Sequence, residues 1–189
     1  MPSNHSHSRS VIEMERRPLF FVTREKECEL INRLITIIDN TEFNPNDTAI
    51  IMASPDYSAT LAMHLSHAWS VKGEIIPIIP VDVAYPDEAI DQYVAKFKHD
   101  FLWHQNKYTR LVLVEAGIIR GGNWKWLVDE LINTFNYSRE NITLVAMCEN
   151  INSSFKSDYV GTYFNDDHNE LMFYYEKYNK HWPVSYTHL

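Results

Sequence analysis

The residues best placed to do chemistry stand in one run, Arg110-Leu111-Val112-Leu113-Val114-Glu115-Ala116-Gly117-Ile118-Ile119-Arg120-Gly121-Gly122-Asn123-Trp124. It reads as a buried strand, an acid at the strand's end, a double-glycine loop and a helix that begins at once. Such a junction holds phosphate groups. The first amides of a helix have no partner within it, the helix dipole favours an anion, and glycine lets the backbone come close. Three of the chain's five glycines lie at 117, 121 and 122, which concentrates backbone freedom here. Two readings stay open for each side chain. Glu115 is a ligand-binding group or a solvated boundary residue, and Arg120 clamps a phosphate or lies on the surface. Trp124 and Trp126 cover the loop or pack in the core. An ordinary strand-to-helix turn of another α/β protein would give the same pattern.

Around this run the hydrophobic pattern alternates between two periods. Cys28, Leu30, Ile31, Leu34, Ile35 and Ile38 have helical spacing over Arg24 to Asn40, with Thr23 as a cap and Glu25 in the first turn. Asn44-Pro45-Asn46-Asp47 is a turn signal, and Thr48 to Ala53 a short central strand. A helix follows from about Ser58 to Ser70. Ile75 to Val81 is β-branched but carries Pro77 and Pro80, which makes it irregular or an edge strand. A helix from Pro86 to Gln105, the strand Arg110 to Glu115, a helix from Asn123 to Phe135 and a strand from Ile142 to Cys148 complete the series. This alternation predicts an α/β fold with a mainly parallel sheet and helices on both faces. Ligands in such folds bind beyond the carboxyl ends of the strands, where Ser54 to Ser58 and Glu115 to Asn123 both fall.

Composition narrows the function classes. The chain has 189 residues, 45% of them hydrophobic, and a formal net charge of -8. Residues 1–15 read as a flexible polar tail and 16–189 as a single domain. The acidic balance and the lack of a basic block argue against a nucleic-acid partner. No apolar run is long enough for a bilayer, so no membrane partner is expected. Cys28 and Cys148 lie far apart in apolar contexts and read as buried free thiols of a reducing, cytoplasmic compartment. His64 and His67, one helical turn apart, lack a third ligand of clear spacing and read as surface or core histidines. Asp166-Asp167-His168 reads as a solvated turn. No structural metal is expected.

The glycine run also resembles the signature of type I phosphoribosyltransferases: four apolar strand residues, two acids, two aliphatics and a Thr-Thr-Gly-Gly-Thr-like loop. Leu111 to Val114 match the strand, Glu115 the first acid, and Gly121-Gly122 the loop glycines. Ala116 replaces the second acid, and Ile119, Arg120 and Asn123 stand where small hydroxyl residues are usual. Two later segments resemble the purine branch, that of the hypoxanthine and xanthine-guanine enzymes. Phe155-Lys156-Ser157-Asp158-Tyr159-Val160-Gly161 is similar to Lys-Pro-Asp-Phe-Val-Gly, with Ser157 for proline. Phe173-Tyr174-Tyr175-Glu176-Lys177 is similar to Phe-Pro-Trp-Glu-Lys. The resemblance spans about Thr23 to Lys180.

What the resemblance implies is a type I phosphoribosyltransferase-like fold with a small C-terminal hood region. The implied activity, in purine salvage and nucleotide metabolism, is transfer of a phosphoribosyl group between 5-phosphoribosyl diphosphate and a nitrogenous, purine-type base. Mg2+ is the implied cofactor, a phosphoribosyl or nucleotide compound the small-molecule ligand, and a homodimer the assembly. Glu115 would be the catalytic-site acid that binds a ribose hydroxyl. Ile119, Arg120, Gly121, Gly122 and Asn123 would hold the 5-phosphate. Lys156, Asp158 and Tyr159 would border the base, with Tyr159 a stacking platform. Ser54, Asp56, Tyr57 and Glu176 would lie near pyrophosphate or metal.

The segment Ser54-Pro55-Asp56-Tyr57-Ser58 has neither the glycine nor the cation of the family's pyrophosphate loop, and Asp56 has a plainer role as a helix cap. The mobile catalytic loop has no counterpart, and the expected stacking tryptophan falls at Glu170. Two further readings therefore accompany the first: a catalytically degenerate nucleotide-binding sensor or assembly subunit, and a partner-binding protein with no small-molecule site. Gly121→Asp is expected to abolish ligand binding and leave the fold largely intact.

Overall fold

Strands in this chain read as unbroken apolar runs because both of their faces are covered. A computed structural model describes residues 19–39, 41, 43–53, 55–81, 101–102, 104, 107–165 and 170–173. β1 is Leu19–Val22, α1 Arg24–Ile37, β2 Thr48–Met52, α2 Pro55–Ala68 and β3 Ile78–Pro80. β4 is Arg110–Ile118, α3 Gly122–Asn133, β5 Ile142–Asn150, β6 Tyr159–Phe164 and β7 Glu170–Phe173. Five strands form a parallel sheet in the order β3-β2-β4-β5-β6.

Alternate residues of the same strands feed two cores. Ile50, Val112, Val114 and Val145 face α1 and α2, burying Leu30, Leu34, Leu61 and Leu65. Ala49, Ile51, Leu111, Leu113 and Leu144 face α3, burying Trp124, Leu127, Val128 and Leu131. Helices therefore cover both sides, as the alternation predicts. The caps and edges also follow the sequence. Thr23 accepts from the Lys26 N–H at 3.2 Å, and the Ile38 N–H closes α1 on the Leu34 carbonyl. β3, with its prolines, lies at the edge of the sheet.

Boundaries differ from the sequence reading in a consistent way. β4 continues past Glu115 to Ile118, and β5 past Cys148 to Asn150, because the two strands go on pairing through Gly117↔Cys148 and Ile118↔Glu149. α2 starts at Pro55 rather than Ser58, since proline suits the first helical turn. α1 stops at Ile37, short of Asn40. The helix expected from Pro86 falls mostly on 82–100, outside the described residues, although Phe101 and Leu102 are helical.

A second sheet was not legible in the sequence. β1 and β7 pair in parallel, Leu19↔Glu170 through Val22↔Phe173. The small C-terminal addition thus also enlists an N-terminal strand. The Phe20 ring stacks on Phe164 of β6 at 5.3 Å. Leu171 lies where a Cβ at Gly117 would be, so glycine lets β7 settle against β4.

Candidate functional site

β2 and β4 are neighbours, yet the helices that follow them leave on opposite faces, α2 to one core and α3 to the other. In parallel α/β sheets such a divergence marks the place, beyond the carboxyl ends of the two strands, at which ligands are held. Glu115 is one residue past the last β2–β4 pair, Met52↔Val114. Its carboxylate is buried and turns toward α2: Oε1 accepts from the Ser58 hydroxyl at 3.0 Å and from the Ala116 N–H at 2.9 Å. Glu115 is therefore a fixed, buried acid and not a solvated boundary residue. Ala116, where the resemblance has a second acid, is fully buried among the apolar residues beneath α1 and α2. A carboxylate there would have to be desolvated.

The loop after β4 is shorter than the sequence suggests, because Gly117 belongs to the strand. Ile119 and Arg120 are exposed. Gly121 is the N-cap of α3, left-handed at φ 83°, and no side chain caps the helix there. A Cβ at Gly121 would lie 2.6 Å from Ser153 Oγ and 3.0 Å from the Phe155 nitrogen, whereas one at Gly122 would meet nothing within 4 Å. The Gly121 substitution that leaves the fold intact is thus corrected: Gly122 is the position open to change, and Gly121 is packed. The first-turn amides of α3, without a side-chain cap, retain their attraction for an anion. Among the described residues, no hydrogen bond or ion pair engages the Arg120 guanidinium. Ser154 fastens the loop from behind, its N–H and Oγ both donating to the Arg120 carbonyl, at 3.1 and 2.8 Å.

The segment expected to border a base divides in two. Lys156 is at the carboxyl end of β5, where its ammonium donates to the Asn150 and Ile151 carbonyls at 3.2 and 2.8 Å. It also stands 3.4 Å from Oε1 of the fully buried Glu149. The other Glu149 oxygen accepts from the Ser157 N–H. Asp158 and Tyr159, however, start β6 at the level of Leu144 and Val145, toward the amino end of the sheet. The Asp158 carboxylate accepts from the Leu144 N–H at 2.8 Å and pairs with Arg139 at 3.1 Å. Tyr159 lines an open hollow there with Arg139, Glu140, Ile142, Thr143 and Asp158. The roles expected of Asp158 and Tyr159 at the base are corrected on this geometry. About six residues of strand, roughly 20 Å, separate them from the carboxyl end of β5.

Of the pyrophosphate-proximal group, Tyr57 is half-buried against the α1–α2 core. Ser54 and Glu176 lie outside the described residues, as does the side chain of Asp56. The backbone of Asp56 is already inside α2, which corrects its reading as a cap. Trp124 is core, and Trp126 packs against that core. His64 and His67 are exposed on α2, and Asp166, Asp167 and His168 lie outside the described residues. Among the described residues, no group of three or more His, Cys, Asp and Glu could hold a metal ion. Burial pushes the Cys148 thiol up to about 12, which makes it a core residue and not a nucleophile, whereas Cys28 is exposed on α1, which corrects its reading as a buried thiol. Among the described residues, no helix is long and apolar enough to cross a membrane.

Sequence reasoning missed Ser153 and Ser154, and it met Ser58 only as the last residue of the Ser54 to Ser58 segment, not as a partner of Glu115. Ser58 stands 57 positions from Glu115, and only the β2–β4 pairing brings the two together. For the other two, the one signal was the Asn-Ser-Ser turn composition after β5.

No protein-family model matches the sequence, and no curated protein matches it. Solved structures do resemble the fold. The purine phosphoribosyltransferase from Pyrococcus horikoshii Ot3 aligns at a TM-score of 0.55 and 16% identity, over 82% of this chain and 91% of that one. The Helicobacter pylori xanthine-guanine-hypoxanthine phosphoribosyltransferase aligns at 0.54 and 9% identity, over 85% and 94%. A hypothetical protein from Neisseria gonorrhoeae, with bound ppGpp, aligns at 0.59 and 15% identity, over 86% and 91%. The fold is therefore α/β and type I phosphoribosyltransferase-like, similar to that of purine enzymes.

Proposed function

We propose that the chain binds a phosphoribosyl ligand in the crevice between β2 and β4 and transfers its phosphoribosyl group to or from a purine-type base. The observation that carries this reading is the pairing, at one switch point, of a fixed acid with an uncapped helix N-terminus. Glu115 accepts a ribose hydroxyl. The amides of Arg120 to Asn123 hold the 5-phosphate, with the Arg120 guanidinium beside them. Lys156, at the end of β5, borders the base. Transfer passes through an oxocarbenium-like state, so these groups act by holding the sugar in place and stabilising charge. Mg2+, when bound, screens the diphosphate. With Ala116 in place of a second acid, the donor set fits an ion carried largely on the ligand's own phosphates. Cytoplasmic residence and a homodimer belong to the same reading.

Calorimetry with 5-phosphoribosyl diphosphate, with and without Mg2+, tests the site: Mg2+-dependent binding is expected, and none in either condition sinks the reading in favour of a partner-binding protein. Pyrophosphate release with a panel of purine and pyrimidine bases tests turnover. Two observations favour a second reading, a nucleotide-binding sensor or assembly subunit. Ala116 lies in the core where a second acid is usual, and a structural neighbour carries ppGpp. Binding without pyrophosphate release would select that reading.

A further inference from the structure

β5 ends at Asn150, and the turn after it folds Lys156 back over the end of the strand. The Asn150 and Ile151 carbonyls accept from the Lys156 ammonium at 3.2 and 2.8 Å. A third oxygen, Oε1 of Glu149, stands 3.4 Å from the same nitrogen. Glu149 is fully buried, and that oxygen accepts no hydrogen bond, while its other oxygen takes the Ser157 N–H at 2.9 Å. Three oxygens from consecutive residues, 149 to 151, thus converge on one positive point. The Lys156 side chain that supplies it is half-exposed, so the cage opens to solvent along the stem. Two neutral carbonyls and one carboxylate suit a single positive charge. The spacing of 2.8 to 3.4 Å suits an ammonium-sized ion and is too long for Mg2+ or Ca2+, which sit at about 2.0–2.1 and 2.3–2.6 Å from oxygen. A buried carboxylate whose cation is withdrawn keeps the full cost of its desolvation. The cage therefore draws in another cation if the lysine is lost.

We infer that the end of β5 is a monovalent-cation site, filled from within by Lys156 and open to a free ammonium-sized cation when that side chain is absent. The cation closes the 151–158 loop on β5. The same loop carries Ser154, which holds the Arg120 carbonyl, and Ser153, which is packed on Gly121. The site thereby also steadies the turn before α3. None of this depends on what the crevice between β2 and β4 binds.

The test is urea unfolding of the full chain at one ionic strength, in ammonium chloride and in tetramethylammonium chloride, whose cation has no N–H to give the carbonyls. The change in the wild-type midpoint between the two salts is the baseline. Lys156→Met keeps the stem without the charge. It should unfold at lower urea than the wild type in tetramethylammonium chloride and recover toward it in ammonium chloride, beyond the baseline. Adding Glu149→Gln should abolish that recovery, since the carboxylate is what holds the free ion. A Lys156→Met midpoint equal to that of the wild type in tetramethylammonium chloride overturns the inference. So does a recovery no larger than the baseline, or one undiminished by Glu149→Gln. Should Lys156→Met not fold in tetramethylammonium chloride, folding in ammonium chloride alone supports the site, and failure in both salts overturns it.

Discussion

The two ends of the parallel sheet handle their polar groups differently. At the amino end the charged groups close on the protein itself. Asp158 joins the Leu144 N–H and Arg139, Arg139 also donates to the Ile142 carbonyl, and the Tyr137 hydroxyl donates to the Tyr108 carbonyl. At the carboxyl end the Glu115 and Glu149 carboxylates are anchored too, but the start of α3 has no side-chain cap and the Arg120 guanidinium no described partner. Donors satisfied internally stabilise the fold, whereas donors left to solvent beside a fixed acid are available to a ligand. The lesson is that a motif's residues need not share a fate: Lys156 and Asp158, two positions apart, serve opposite ends.

Adjacent glycines give the largest contrast. Gly121→Asp should destabilise the protein by about 3 kcal/mol in urea unfolding, because it meets Ser153 and Phe155 and forces a side chain into left-handed backbone. Gly122→Asp should leave the urea midpoint nearly unchanged and lower affinity for 5-phosphoribosyl diphosphate about a hundredfold, by setting a charge at the helix start. If Gly122→Asp binds as tightly as the wild type, the carboxyl end loses its claim to the phosphate.

Alkaline pH probes burial at both ends. Cys148 near the carboxyl end is raised from 9.0 to about 12, and Tyr137 near the amino end is raised from 10.0, both by desolvation. Below pH 9 the folded and unfolded chains both keep the thiol proton. Above it the unfolded chain releases the proton first, so stability falls as pH rises toward 12. The loss from Cys148 should reach roughly 2 kcal/mol at pH 10.5, and Cys148→Ala should flatten that part of the pH profile of unfolding. In the native protein at pH 8, a thiol reagent should label the exposed Cys28 and spare Cys148.

The amino end has its own test. Asp158→Ala leaves the buried Leu144 N–H without its acceptor and should cost about 2 kcal/mol. Little of that comes from the half-exposed pair with Arg139. Nucleotide affinity should not move, and a tenfold loss would return Asp158 to the binding site. The smallest effect is expected away from both ends: Thr23→Ala removes the α1 cap and should lower stability by about 1 kcal/mol, read as a shift in the urea midpoint.

What was legible in the sequence was whatever local pattern controls. The Leu111 to Val114 run, the glycine loop, the Thr23 cap and the proline-marked edge strand each depend on neighbours in the chain. The structure added what depends on pairing. β4 and β5 extend because each supports the other beyond its apolar run. Leu19-Phe20-Phe21-Val22 had strand composition, yet four residues before a helix cap gave no hint of a partner in Glu170–Phe173. Asp158 followed a family-like motif, but its hydrogen bond to Leu144 reflects a return of only eight residues, 151–158, between parallel strands that usually need a dozen or more. Ser58 became visible only once α2 and Glu115 shared a crevice.

The β1–β7 ribbon has a consequence for synthesis. Leu19–Val22 is made some hundred and fifty residues before its described strand partner, which follows the five strands of the parallel sheet. Until then an aromatic segment waits without its neighbour, and the surface of β4 at Gly117 stays uncovered. Closure of this ribbon therefore waits for β7, and the nascent chain stays open to stray association at this place until that strand has been made.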